Sequence, residues 1–286
     1  MREVTDAVVL MAGSGSRLRA SGEVTPKPLV PILGQPLVCY LLEALLEAGV
    51  NNLHVVVGAN AESLVAALQS LMPASIRLHP IRNPDWKQQN GISVLCAQGK
   101  VRAPFFLTMG DHLFDPEILP SLLKTSSPDE LNLAVDRKIS AIFDLDDAMK
   151  VQTRADRVIA IGKDLADYDA IDTGLFLCPN ELFEYLRAAR KNGDCSLADG
   201  VRLMAEAGKV RATDIGEGWW QDVDTFAMRK RAEELLAQAA ASVVGHADGS
   251  GTDIPATEAE SPTSGYNAAT PAGVGASDSC PRQLSS

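Results

Sequence analysis

The chain has 286 residues, 46% hydrophobic and 22% charged, with a formal net charge of −11. This is the make-up of a soluble globular protein of one large or two small domains, and it lacks the basic face that nucleic-acid binding needs. The longest apolar runs are far short of a membrane span, and the N-terminus leads into a strand-like segment without a signal-peptide pattern, so neither nucleic acid nor a membrane span is expected and the expected compartment is the cytoplasm.

The first element is Ala7–Ala12, a continuous apolar run of the kind found in strands covered on both faces. The segment from Pro36 to Gly49 has helical periodicity between a proline and a glycine. Strands are expected at Leu53–Val57, Ile76–Pro80 and Phe105–Met109, with a helix over Ala61–Leu71. Such β–α repetition implies a parallel sheet with helices on both faces. The second half is richer in strands, at Leu131–Asp136, Ala148–Thr153, Val158–Gly162 and Ala170–Cys178. Helices follow at Asn180–Lys191, Leu197–Ala207 and Phe226–Ala241. Residues 1–244 are read as one domain, in which the second half adds antiparallel strands that close over a crevice. From 245 to 286 the chain is mostly Gly, Ser, Thr, Ala, Pro and Asp and cannot bury enough surface to offset ordering, so a disordered acidic tail is expected. The five cysteines show neither CxxC spacing nor clustering with histidine, which favours small buried hydrophobes over a disulfide framework or a zinc site.

Chemistry concentrates in Leu10-Met-Ala12-Gly13-Ser-Gly15-Ser-Arg17, directly after the first strand. Glycines there let backbone N–H groups approach phosphate oxygens, and Arg17 adds a delocalised positive charge. Neither the dinucleotide fingerprint nor a Walker loop fits, because no third glycine and no Gly-Lys-Ser/Thr follows. Lys27, fixed between Pro26 and Pro28, can aim its ammonium at a ligand. Asp111 follows a buried strand at its carboxyl end, where open α/β sheets place ligands and where a carboxylate suits Mg²⁺. Asp222 and Asp224, two residues apart, share a face of an extended segment; one would bind the metal and the other cap the helix that starts near Thr225.

Gly13-x-Gly15-x-Arg17, Lys27-Pro-Leu and Leu33-Gly-Gln-Pro36-Leu together resemble the nucleotidyltransferases that make sugar and polyol nucleotides. Asn90-Gly91-Ile-Ser93, Gly110-Asp111-His112, Val135-Asp136-Arg137, Ile161-Gly-Lys163, Asp172-Thr-Gly174 and Trp220-Gln-Asp222-Val-Asp224 follow in that order, and the whole series is similar to the CTP:inositol-1-phosphate cytidylyltransferases. The resemblance covers about Asp6 to Leu235. It implies a Rossmann-like nucleotidyltransferase fold, an α/β, mostly parallel mixed sheet flanked by helices, with added antiparallel strands on the acceptor side. The implied substrates are CTP and a small phosphorylated acceptor, with Mg²⁺ as cofactor. Arg17, Lys27 and Asp111 would be catalytic. Leu10, Ala12, Gly13, Gly15, Asn90, Gly91 and Ser93 would bind the nucleotide, the last three on a base-reading loop. Lys163, Asp136, Asp172 and Gly174 would face the acceptor, and Asp111 with Asp222 or Asp224 would hold the metal, relatives favouring Asp222. Some inositol enzymes are fused to a membrane-embedded CDP-alcohol phosphotransferase; this chain has no such hydrophobic domain, so that partner would be a separate protein. A sugar-1-phosphate guanylyl- or uridylyltransferase, a phosphocholine or phosphonate cytidylyltransferase and a non-catalytic nucleotide-binding homologue are the alternatives.

Overall fold

β1 (Asp6–Met11) is buried along its whole length, and its side chains divide between two cores: Val8 and Leu10 on one face, Ala7, Val9 and Met11 on the other. It anchors a computed structural model that describes residues 3–13, 25–58, 61–127 and 129–247, with side chains as far as 241. Gly15, Arg17 and the chain beyond 247 therefore lie outside the described residues.

β1 pairs in parallel with β4 (Asn52–Val57) and β6 (Phe105–Met109), and β4 in turn with β5 (Arg77–Arg82). On the far side of β6 the direction reverses. β11 (Ala170–Cys178) runs antiparallel to β6 and to β8 (Leu131–Asp136), β8 is parallel to β12 (Val210–Asp214), and β10 (Arg157–Gly162) runs antiparallel to β12 and to β9 (Lys150–Arg154). One nine-stranded mixed sheet results, in the order β5-β4-β1-β6-β11-β8-β12-β10-β9. The expectation that both halves share one sheet, with antiparallel strands added by the second, holds.

Helices cover both faces. α1 (Leu37–Glu47), α2 (Ala61–Leu71) and α4 (Ile118–Thr125) bury leucines in the core shared with Ala7 and Val9. α3 (Asn90–Leu95), α5 (Leu182–Ala189) and α6 (Leu197–Glu206) cover the opposite face. α6 starts with a full capping box, in which Ser196 and Asp199 satisfy each other's backbone N–H groups.

A two-stranded ribbon outside the main sheet joins the halves: β7 (His112–Phe114) runs antiparallel to β13 (Trp220–Asp222). Beneath it a small third core collects Leu113 and Val223 with Ile32, Leu37 and, from α7 (Phe226–Ala247), Ala232. A hairpin of β2 (Pro31–Ile32) and β3 (Gln35–Pro36) supplies Ile32.

Several sequence expectations change. Asn90–Ser93 is not a loop but the first turn of α3. α7 continues to Ala247, past the 244 boundary drawn from composition. Cys39, buried in α1, is disulfide-bonded, against the expectation of unpaired cysteines. Among the described residues no helix is long and apolar enough to cross a membrane.

Candidate active site

Asp111 sits just beyond the carboxyl end of β6, whose extension is fixed by the Gly110 N–H donating to Leu10 O at 3.0 Å. The ribbon then brings the distant acids to it. His112 and Asp222 are directly opposed in register, and the Val223 N–H donates to Asp111 O at 2.9 Å. Lys27, on the short 3₁₀ turn Lys27–Leu29, places its ammonium 2.7 Å from Asp111 Oδ2 and also against Asp224 Oδ1. Lys27, Asp111 and the neighbouring Asp222 and Asp224 thus come together from three segments of the chain. The helix cap falls to neither aspartate: Thr225 Oγ1 accepts from the Met228 N–H at 3.2 Å.

His112 completes the cluster. Its Nδ1 lies 2.8 Å from Asp111 Oδ1, and an ionised carboxylate can only accept, so Nδ1 carries the proton. Burial alone would raise the Asp111 carboxyl, but the His112 hydrogen bond and the Lys27 and His112 charges hold it far below its ordinary value. Burial opposes the charged form of His112, yet its bond to Asp111 and the charges of Asp111 and Asp222 raise its pKa. Asp222 is pushed up by burial and by Asp111, with His112 and Lys27 offsetting part.

Beside this cluster lies a cavity of about 420 Å³, lined among others by His112, Asp222, Asp172, Gly174, Lys163 and Asn90. Asp172 is fixed by a bulge in β11: its Oδ1 accepts the Gly174 N–H at 2.7 Å, and the β8–β11 register shifts between Asp172 and Phe176. Burial pushes the Asp172 carboxyl up to about 6, a shift that the Gly174 N–H and the His112 charge only partly offset. Gly174 has φ +75°, and a Cβ there would stand 2.5 Å from His112 Nε2. Glycine is therefore needed twice, for the backbone and for the imidazole. At the cavity's rim the Lys163 ammonium pairs with Asp147. A smaller hollow of about 60 Å³ is lined by Leu10, Gly13, Lys27 and Asp111, at the start of the glycine loop.

Other expected site residues are engaged elsewhere. Ser93 is buried and accepts from Asn83 Nδ2 at 2.9 Å. Gly91 is a packing glycine, because a Cβ would lie 2.6 Å from Cys195 O. Asn90 borders the cavity, but its Oδ1 accepts the Leu197 N–H at 2.8 Å, helping to satisfy the start of α6. Asp136 does not line the large cavity; it is buried with both oxygens engaged. Sequence reasoning assigned His112 to a supporting role and passed over Asp147; the adjacency of His112 to Asp111 was its available signal, whereas Asp147 sits in a turn with none.

A family model described as MobA-like NTP transferase domain matches residues 7–206. The chain belongs to that family. Two curated relatives, each named "Bifunctional IPC transferase and DIPP synthase", come from Rubrobacter xylanophilus and Thermococcus kodakarensis. The first is 34% identical over 84% of this chain and 54% of its own, the second 33% identical over 85% and 52%. The chain spans about half the length of these relatives. A solved structure of the inositol-1-phosphate CTP transferase from T. maritima superposes with a TM-score of 0.73 at 27% identity, covering 83% of this chain and 96% of that one. The NTP transferase match ends before Asp222 and Asp224.

Proposed function

We propose that this NTP transferase domain moves a cytidylyl group from CTP to inositol 1-phosphate, releasing pyrophosphate and forming CDP-inositol. The observation that carries the reading is the cluster of Lys27, Asp111, His112 and Asp222, two of whose members, His112 and Asp222, line a cavity that Lys163 and Asp172 also line. That arrangement sets a phosphate-handling edge beside a chamber of mixed polar and apolar lining, large enough for a small polyol. The similarity to the inositol-1-phosphate CTP transferase and to the IPC transferases supports the choice of both substrates.

Two polyanions must meet, so charge neutralisation and positioning dominate and no covalent nucleophile is needed. An oxygen of the acceptor phosphate attacks the α-phosphorus in line, the bond from that phosphorus to the bridging oxygen breaks, and pyrophosphate leaves with the electron pair. Lys27, with Arg17 from the glycine loop, neutralises triphosphate charge. Lys163 exchanges its Asp147 partner for the acceptor phosphate, and Asp172 accepts from a polyol hydroxyl. His112 keeps Asp111 ionised and oriented.

The donor set fits a hard divalent cation. Asp111 and Asp222 offer carboxylate oxygens beside the phosphate-handling edge. No group of three or more His, Cys, Asp or Glu suited to a metal occurs among the described residues. Two carboxylates with substrate oxygens completing the shell is how Mg²⁺ is ordinarily held. When bound, Mg²⁺ would neutralise the phosphates and stabilise charge on the departing pyrophosphate.

The test is a matrix of the four nucleoside triphosphates against inositol 1-phosphate, several hexose 1-phosphates and phosphocholine, read by pyrophosphate release. Turnover is expected with CTP and inositol 1-phosphate. Release confined to GTP or UTP with a sugar 1-phosphate would overturn the cytidylyl reading.

A further inference from the structure

Trp220 borders two chambers. It lines the large cavity and also a second one of about 220 Å³, whose walls include Asp136, Phe143, Trp219 and Met228. Its ring stacks on His112, with centroids 6.1 Å apart and planes inclined by 23°. Its indole N–H donates to Asp136 Oδ2 at 3.1 Å.

Asp136 is the last residue of β8 in the main sheet and is only 3% exposed. Its other oxygen accepts the Lys138 N–H at 2.8 Å and lies 2.9 Å from the Lys138 ammonium, which itself donates to Gly216 O at 2.6 Å. A buried carboxylate held by a backbone N–H and an anchored cation is a rigid acceptor. The ribbon needs such an anchor. It has three residue pairs, Trp220 with Phe114, Gln221 with Leu113 and Asp222 with His112, and a two-stranded ribbon is marginal by itself.

We propose that Asp136 and Trp220 form a clamp that ties the β7–β13 ribbon to the main sheet and thereby fixes His112 and Asp222 for the reaction. Asp136 is then a positioning residue acting through the indole, not a contact to the acceptor. The clamp rests on the nucleotidyl-transfer reading but not on which nucleotide or acceptor is used. It also accounts for a tryptophan at this position: phenylalanine would fill much of the same space and stack on the imidazole, but could not reach the carboxylate.

Trp220→Phe and Asp136→Asn should be assayed with the substrate pair that wild type turns over best. In parallel, Mn²⁺ binding is titrated in the presence of CTP without acceptor, by the paramagnetic resonance of free Mn²⁺. Loss of an outer hydrogen bond to a metal site costs ~10–100-fold in affinity or activity. Trp220→Phe should accordingly lower kcat ~10-fold and weaken Mn²⁺ binding by a similar factor, leaving the acceptor KM within about 2-fold and the melting temperature within a few degrees. The double variant should be no worse than the poorer single one, because both remove the same bond. A rise in acceptor KM with kcat and Mn²⁺ affinity intact would overturn the clamp in favour of direct acceptor contact. Unchanged kcat and Mn²⁺ affinity in a folded Trp220→Phe protein would overturn it outright. Should one variant fail to fold, the other decides. If wild type turned over no substrate pair, the functional reading would fail while the Mn²⁺ titration still judged the clamp.

Discussion

Two aspartate–histidine pairs sit at opposite ends of β1, and only one belongs to the candidate active site. At the amino end, Asp6 Oδ2 lies 3.1 Å from His54 Nε2 and also accepts the Arg102 N–H at 3.0 Å, while Oδ1 accepts from Thr5 Oγ1 and Asn52 Nδ2. His54 stacks on His79 with centroids 4.7 Å apart. Both members of the pair are buried. At the carboxyl end, Asp111 and His112 are joined by Lys27, Asp222 and Asp224 and face a cavity. Both aspartates are held below the ordinary carboxylate value, but the two histidines respond oppositely. Burial lowers the His54 pKa despite Asp6, whereas at His112 two carboxylates override burial. A carboxylate–imidazole pair becomes chemistry where surplus charge meets an opening; closed by its own hydrogen bonds, it is structure.

The comparison breaks most visibly at the two aspartates. Asp111→Asn should slow turnover by ~10²–10³-fold with CTP binding still measurable, the scale of losing a charge-stabilising contact in the transition state. Asp6→Asn should instead keep turnover within a few-fold and lower stability by about 1–3 kcal/mol, because a buried acceptor network loses a member. Initial rates and chemical denaturation on both proteins check this, and loss of activity without loss of stability at Asp6 would erase the distinction.

The ribbon acids sharpen it next. Asp222→Asn, opposite His112, should fall ~10²-fold, close to Asp111→Asn, while Asp224→Asn stays within ~10-fold. Equal losses at both positions would mean that the ion is shared between them. Lys27→Ala should cost roughly 2–3 kcal/mol in kcat/KM, with the melting temperature little changed. A fall in melting temperature that parallels the lost activity would make Lys27 a structural tie like the Asp6 network.

The smallest effect is in pH dependence. Because the folded His54 pKa is depressed, the unfolded chain takes up a proton near the ordinary value of 6.5 while the folded one resists. Its contribution to stability is present above about pH 6.5 and declines as pH falls toward the folded pKa. Its Nδ1, buried without a partner, gives the added proton nowhere to bond. His54→Gln should therefore flatten the stability profile between about pH 7 and 5. An unchanged slope would place the titration elsewhere.

What the sequence made legible follows from how each element is stabilised. β1, β4 and β6 are apolar on both faces, so their runs stand out, and the acids at strand ends could be read as ligands because open sheets bind there. β7 and β13 have three residues each, show no period, and depend on tertiary partners: their mutual pairing, the core around Leu113 and Val223 and the Trp220–Asp136 hydrogen bond. α3 begins without a side-chain cap and buries Gly91 and Ser93, so Asn90–Ser93 reads as a polar loop until the tertiary contacts are known. Asp136 is a similar case: a carboxylate at a strand end reads as a ligand contact, and its partners Trp220 and Lys138 are visible only in the fold. The β12 strand and α4 escaped notice as well, one short and polar at its end, the other interrupted by Pro120.

The register of His112 against Asp222 also governs when the molecule becomes competent. One carboxylate, Asp111, comes from the middle of the domain and the other, Asp222, from near its end, and all the strands of the added half lie between them in the chain. Local collapse alone does not bring them together, and a contact of such long sequence separation forms late and slowly. On the proposed metal reading, a nascent chain that has not yet emitted β13 would have only one of the two carboxylates and would hold the cation weakly. On that reading the return of β13 to β7 would act as a completion check, the last strand to arrive supplying the second carboxylate.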